Sequence, residues 1–177
     1  TTNRASGLRK ESEMTKQVNR AIIFAATAHA EQSRKYSGLP YVTHCVDVLK
    51  ILTDKSSTYV SEAMQIAAVL HDVVEDCDVS VGDVRVAFGH EVALLVEELT
   101  DVYVGPEHGN REARKALERV RLSRVSADAQ TIKYADLISN WNDMPDEADF
   151  KKVFEHEKNA LLETMIQGDP ALLEIAK

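Results

Sequence analysis

His71 and Asp72 stand side by side in "AAVLHDVVEDCD", Ala67 to Asp78, where an apolar run ends in a histidine and acids. Glu75, Asp76 and Asp78 follow within a few residues. Carboxylates are rarely buried unless they are paired or bound to a cation. The stretch therefore has two readings: a helix end running into solvent, or a site that holds something positive. On a helix, positions four apart lie one turn above each other. His71 then stacks with Glu75, and Asp72 with Asp76. The surplus acid falls toward the C-terminal end, where the helix dipole also disfavours anions. Full solvent or a cation makes that arrangement tolerable, and "AAVL" brings His71 to the edge of the core.

A His-Asp pair offers only two ligands, and a divalent metal needs more, typically from other helices. Two further residues stand out. His44 lies in "PYVTHCVDVLK", just inside a helix with apolar neighbours, and Asp136 lies in "TIKYADLISN", flanked by Ala135 and Leu137. Taken singly, the first reads as a satisfied core histidine and the second as a cap. Taken with His71 and Asp72, they complete a two-His, two-Asp set of mixed nitrogen and oxygen donors, suited to Mn²⁺, Fe²⁺ or Zn²⁺.

Elements that position these residues are helical nearly throughout. "KQVNRAIIFAATAHAEQ" carries Val18, Ile22, Ala25 or Ala26, and His29 at three-to-four spacing, an amphipathic helix. Gly38 and Pro40 then punctuate "SRKYSGLP". "YVTHCVDVLKILTD" resumes the period, and a third helix is expected to run without a break through "YVSEAMQIAAVLHDVVED". "SVGDVRVAFG" predicts a short helix capped by Ser80 and closed by Gly89. "HEVALLVEELTDV", "REARKALERVRLS", "DAQTIKYADLISNWNDM", "FKKVFEHEKNALLETMIQ" and "PALLEIA" supply the remaining helices. Strand-like alternation is nearly absent. The expectation is one all-α domain over residues 14–177, preceded by a polar tail at residues 1–13.

Bulk properties narrow the function. A chain of 177 residues suits one domain with a sizeable core. A net charge of −8 argues against a broad nucleic-acid-binding face, so an anionic ligand would need a local basic site or a metal. Two cysteines, Cys45 and Cys77, form no disulfide framework and no CxxC metal pair. No apolar run approaches membrane-spanning length, and "TTNRASGLRKESEM" has no apolar core of a signal peptide. The expected setting is cytoplasmic, with no membrane partner.

Read in order, these motifs resemble the hydrolase half of the RelA/SpoT proteins, and in particular the small stand-alone alarmone hydrolases of the HD superfamily. "ATAHAEQSRKYSGLPYVTH" is similar to the family's AH..Q.RK..G.PY..H segment, and "AAVLHDVVEDCD" to its LHDVVEDT. "FGHEVALLVEELTDV" resembles the FG..V...V...T block and "IKYADLISN" the K.AD...N block. The likeness runs roughly from Val18 to Met144.

The resemblance implies an all-α HD domain with a metal site between helices. It implies His44, His71, Asp72 and Asp136 as ligands of one divalent ion per chain, usually manganese. It implies Glu75 and Asp76 as the pair that orients and activates the attacking water. Arg34 and Lys35 match basic residues of the nucleotide site, and Asn140 the asparagine at the ribose. The implied activity is removal of the 3′-pyrophosphate of guanosine tetra- or pentaphosphate. Alternatives are the same site acting on an adenosine alarmone or NADPH, or a catalytically silent nucleotide-binding module. Intact HD and ED pairs argue against the last. Three positions depart from the family: Cys45 replaces a proline, Cys77 a threonine, and Ser139 stands where LHN carries histidine. Guanine against adenine preference and oligomeric state stay open.

"NREARKALERVRLSR" places Arg111, Arg114, Lys115, Arg119, Arg121 and Arg124 in an otherwise acidic chain. A solvated helix face accounts for this equally well. The functional reading turns Lys115, with Arg114 beside it, toward the metal cleft to hold the remote phosphates.

Overall fold

A computed structural model describes residues 16–177, so the expected tail at residues 1–13 lies outside the described residues. Helical residues 16–28 (α1) lead into a tight loop over residues 33–40. An isolated antiparallel bridge, Ser33 to Pro40, closes that loop, and Gly38 turns it at φ 70°. A left-handed φ of this kind favours glycine. There follow α2 (Val42–Lys55), α3 (Glu62–Leu70), α4 (Val73–Asp76), α5 (Val81–Phe88) and α6 (His90–Leu99). A 3₁₀ turn at Pro106–His108 precedes α7 (Arg111–Leu122), α8 (Ala127–Asp143), α9 (Lys151–Leu162) and α10 (Pro170–Ala176). The all-α expectation holds: the described residues carry no strand beyond that bridge.

Caps follow the sequence signals. Ser80 and Asp83 form a reciprocal capping box at the start of α5, and Gly89 ends it at φ 92°. Ser61, Asn110 and Ser126 cap α3, α7 and α8 through side-chain oxygens that accept from Met64, Ala113 and Ala129 N–H. At the centre of the bundle, α3 packs on α2, α6 and α8, and α8 also receives α2, α6 and α10. Burial on every side explains why α3 has almost no polar stripe: Met64 and Ile66 to Leu70 are all buried. Each large aliphatic side chain so enclosed stabilises the bundle by roughly 1.5–3 kcal/mol.

The third helix does not run unbroken to Asp76 as expected. The third helix starts at Glu62 and stops at Leu70, so His71 and Asp72 form a two-residue turn before the single-turn helix α4. His71 Nδ1 donates to the Ala68 carbonyl at 2.8 Å. In an unbroken helix that carbonyl would serve the N–H of Asp72. The side chain thus competes with the backbone ladder at the point where the histidine must turn inward. Asp76 N–H still reaches the Asp72 carbonyl at 2.9 Å, so the second turn survives as α4.

Asp169 clamps the far end of the bundle. Its Oδ1 accepts from Leu172 N–H at 2.8 Å to cap α10. Its Oδ2 accepts from the N–H groups of Ser57 and Thr58 and from the hydroxyls of Ser56 and Ser57, at 2.8–2.9 Å. Burial works against the charge, but the Leu172 N–H and these hydroxyls hold the carboxyl well below the usual carboxylate range. Asp169→Ala should lower unfolding free energy by about 3 kcal/mol, the sum of a lost cap and stranded donors. Urea denaturation measures it, and a loss below about 1 kcal/mol would mean that water replaces the clamp. Because the folded value is depressed, the stabilisation is complete above roughly pH 4. It fades as pH falls further, so the gap between variant and parent should narrow in acid.

Candidate metal centre and cleft

Three elements bring the four expected ligands to one point. His44 comes from the first turn of α2, His71 and Asp72 from the turn after α3, and Asp136 from the middle of α8. His44 and His71 face each other Nε2 to Nε2 at 3.2 Å. Asp72 Oδ2 lies 3.5 Å from His44 Nε2 and 3.0 Å from His71 Nε2. Asp136 Oδ1 lies 3.2 Å and 3.6 Å from the same two nitrogens. His44, His71 and Asp136 are buried, and Asp72 is partly so.

Supporting contacts fix how these atoms point. With Nδ1 of His71 donating to Ala68, a neutral ring presents an Nε2 lone pair to the cluster. His44 Nδ1 is held by Ser139 Oγ at 3.0 Å. Tyr41 donates its hydroxyl to Asp72 Oδ2 at 2.6 Å, and Asn140 Nδ2 donates to Asp136 Oδ1 at 2.7 Å. Lys133 Nζ sits 2.8 Å from Asp136 Oδ2. Burial disfavours charge on both carboxyls, yet His71 beside Asp72, and Lys133 beside Asp136, hold them well below their ordinary range. Burial likewise opposes charge on the imidazoles, and the two carboxylates reverse it, raising both. Two nitrogens and two carboxylates converging on one point, each oriented from outside, fit a divalent cation of the kind bound by N/O sets. His44, His71 and Asp72 by themselves offer three ligand atoms within 4.8 Å of one another.

Behind the cluster, the His29 ring lies tilted against Tyr41 with centroids 4.6 Å apart, and its Nδ1 lies 2.7 Å from Gln32 Oε1 and 3.2 Å from Cys77 Sγ. Burial pushes the thiol of Cys45, a small core group, up to about 12; Cys77 is only partly buried, and desolvation with the nearby Asp76 carboxylate raises it too.

Glu75 and Asp76 stand at the rim of a cavity of about 250 Å³ whose wall also includes Asp72, Asp136, Asn140, Lys115 and Lys133. Glu75 Oε2 accepts from Asp101 N–H at 3.2 Å. Desolvation in the cleft and the Asp101 carboxylate push the Glu75 carboxyl up. Asp101 sits on a strap after α6, and Glu118 pins that strap by accepting from Val102 and Tyr103 N–H at 2.6 and 2.7 Å. Lys115 pairs with Asp101 at 3.1 Å on the cleft wall, whereas Arg114 turns away and donates to the Gly109 carbonyl. A second cavity, also about 250 Å³, shares Tyr41, Asn140 and Phe154 with the first and is lined by Arg34, Lys35, Tyr36 and Phe150. Lys35 lies over the Tyr36 and Phe150 rings. Arg34 is buried and already engaged, by Asp47 at 2.9 Å, Asp143 at 3.2 Å and the Ser139 carbonyl at 3.1 Å. It braces the loop and the α8 wall, and only its remaining surface faces the cavity.

Three residues that shape the site escaped the sequence reading, and a fourth, Ser139, stood out only as a departure from the family pattern. Tyr41 lies inside a motif but gives no separate signal. A lysine three positions before Asp136 in an apolar stretch could have marked Lys133, because a buried ammonium needs an anion within reach. Nothing local points to Asp101, which meets Glu75 across 26 residues of sequence.

An all-helical domain with a two-His, two-Asp cluster at the base of a polar cleft defines a metal-binding class of hydrolase. The chain belongs to the HD domain family, whose model matches residues 21–160. It is 37% identical over 129 residues to the human guanosine-3′,5′-bis(diphosphate) 3′-pyrophosphohydrolase MESH1, a match covering 72% of this chain and 69% of that protein. The Drosophila melanogaster protein of the same description is 38% identical over 122 residues, covering 68% and 65%. The matched stretch is thus about two thirds of each relative's length. A solved structure of a metazoan ortholog of SpoT, described as hydrolysing ppGpp, superposes with a TM-score of 0.79 at 28% identity over 90% of this chain and 91% of the other.

Proposed function

We propose that this protein is a metal-dependent hydrolase that removes the 3′-pyrophosphate of guanosine 3′,5′-bis(diphosphate), in its tetra- and pentaphosphate forms. The observation that carries the reading is the convergence of His44, His71, Asp72 and Asp136 on one point of a polar cleft, in a chain similar to pyrophosphohydrolases along most of its length. One divalent ion per chain, Mn²⁺ by preference, would be held by these four side chains; when bound it supplies charge neutralisation and lowers the pKa of a water. Glu75 and Asp76, at the rim, receive the proton of the attacking water and orient it. Asp101 N–H steadies Glu75 for that task. Asn140 meets the ribose, and Lys35 with the Tyr36 and Phe150 faces borders the base and its phosphates. Arg34 acts there chiefly by bracing the wall. Two free cysteines suit a reducing, cytoplasmic setting.

A direct assay decides it. Mn²⁺-loaded protein should release pyrophosphate from guanosine tetraphosphate, and the same assay on adenosine tetraphosphate and NADPH fixes base and phosphate preference. No turnover of any of the three would sink the reading. Lys115→Ala should raise KM about tenfold, the scale of a charge-assisted contact, with a smaller effect on kcat. Added salt should weaken the parent more than the variant. Unchanged KM at low salt would return α7 to the role of a solvated face.

A further inference from the structure

We infer that the end of the cleft beyond the metal cluster is a pyrophosphate subsite, with Arg119 as the cation that takes the anion there. Cavity-facing residues of α8 fall on successive turns: Asn140, then Asp136 and Leu137, then Lys133. The cavity therefore runs along α8 from the nucleoside end, past the cluster, to a chamber by Lys133. Across from it, Lys115, Glu118, Arg119 and Leu122 form one face of α7.

Nearly every charge in this chamber already has a partner. Lys133 is held by Asp136, Lys115 by Asp101, and buried Lys158 by the carbonyls of Ala176 and Lys177. Among the acids, Asp101 has Lys115. Glu118 has two backbone N–H groups and Arg121, and Glu157 has both arms of Arg111 at 2.7 and 2.8 Å. Arg119 makes no ion pair and no side-chain hydrogen bond among the described residues, although it is half-buried in the cavity wall. A partly desolvated guanidinium without an anion is unfavourable, and its planar fork matches phosphate oxygens.

Identifying that anion as pyrophosphate rests on the proposed function. In that reaction the oxygen of water joins the phosphorus next to the ribose, the bond from phosphorus to the 3′ oxygen breaks, and that oxygen leaves with a proton. The nucleoside half stays at the Asn140 end. Pyrophosphate is then in the chamber before and after cleavage, and the free product should inhibit competitively.

Calorimetry with inorganic pyrophosphate on Mn²⁺-loaded protein, freed of excess metal, tests the subsite without any turnover. Arg119→Gln should weaken pyrophosphate binding roughly tenfold to a hundredfold, and Arg119→Lys less, because the ammonium keeps the charge but not the fork. Guanosine diphosphate, the nucleoside product, should bind both variants as it binds the parent. Parent-like pyrophosphate affinity in Arg119→Gln overturns the inference, as does an equal loss for guanosine diphosphate, which would mark a diffuse field. A parent protein that binds pyrophosphate through Arg119 yet hydrolyses no alarmone overturns the proposed function and leaves the subsite standing.

Discussion

Asp72→Ala should leave a folded helical bundle that no longer retains a divalent ion. Asp72 is the one proposed ligand within 3.0 Å of His71 Nε2 that also accepts from Tyr41, and its removal opens the cluster toward the cavity. The bundle itself is held by buried aliphatic contacts among α2, α3, α6 and α8, which this substitution does not touch. Metal analysis after desalting should therefore show an ion in the parent and none in the variant. Turnover should fall on the order of 10³-fold, since a bound ion is worth several kcal/mol of transition-state charge stabilisation. Chelation should lower the melting temperature of the parent, because an ion that binds only the folded chain stabilises it, and leave the variant unmoved. Full occupancy in Asp72→Ala would remove Asp72 from the ligand set.

Glu75→Gln separates the chemistry from the metal. The substitution keeps shape and one acceptor for Asp101 N–H, but it loses the charge that takes up a proton from water. kcat should fall by roughly 10²-fold or more, the scale of a general base, with metal content and KM near those of the parent. Glu75 makes no hydrogen bond or ion pair with the four clustered side chains, so a loss of metal in this variant would mean that the strap, not the proton transfer, had failed. Parent-like turnover would assign water activation to the metal alone.

Much of the architecture was legible because it rests on local rules. Periodicity located the helices, and Ser80 and Gly89 marked boundaries that the structure keeps. The break at His71 and Asp72 was not legible, since it depends on a side chain taking a carbonyl that the backbone would otherwise use. Lys115 and Arg114 are neighbours in sequence, yet one lines the cleft and the other turns to Gly109. That difference is set by how α7 is rotated on the bundle, with Glu118 and Leu122 on its buried face.

By itself, the sequence determined the helical class, the helices that carry His44 and Asp136, and the presence of a mixed nitrogen and oxygen donor set. Those follow from side-chain type and from spacing along one helix. Only the tertiary structure decided that His44, His71, Asp72 and Asp136 meet, that Arg34 is tied to Asp47 and Asp143, and that Asp101 reaches Glu75. Such distances depend on how buried apolar faces of separate helices settle against one another, and no spacing within a single helix encodes them.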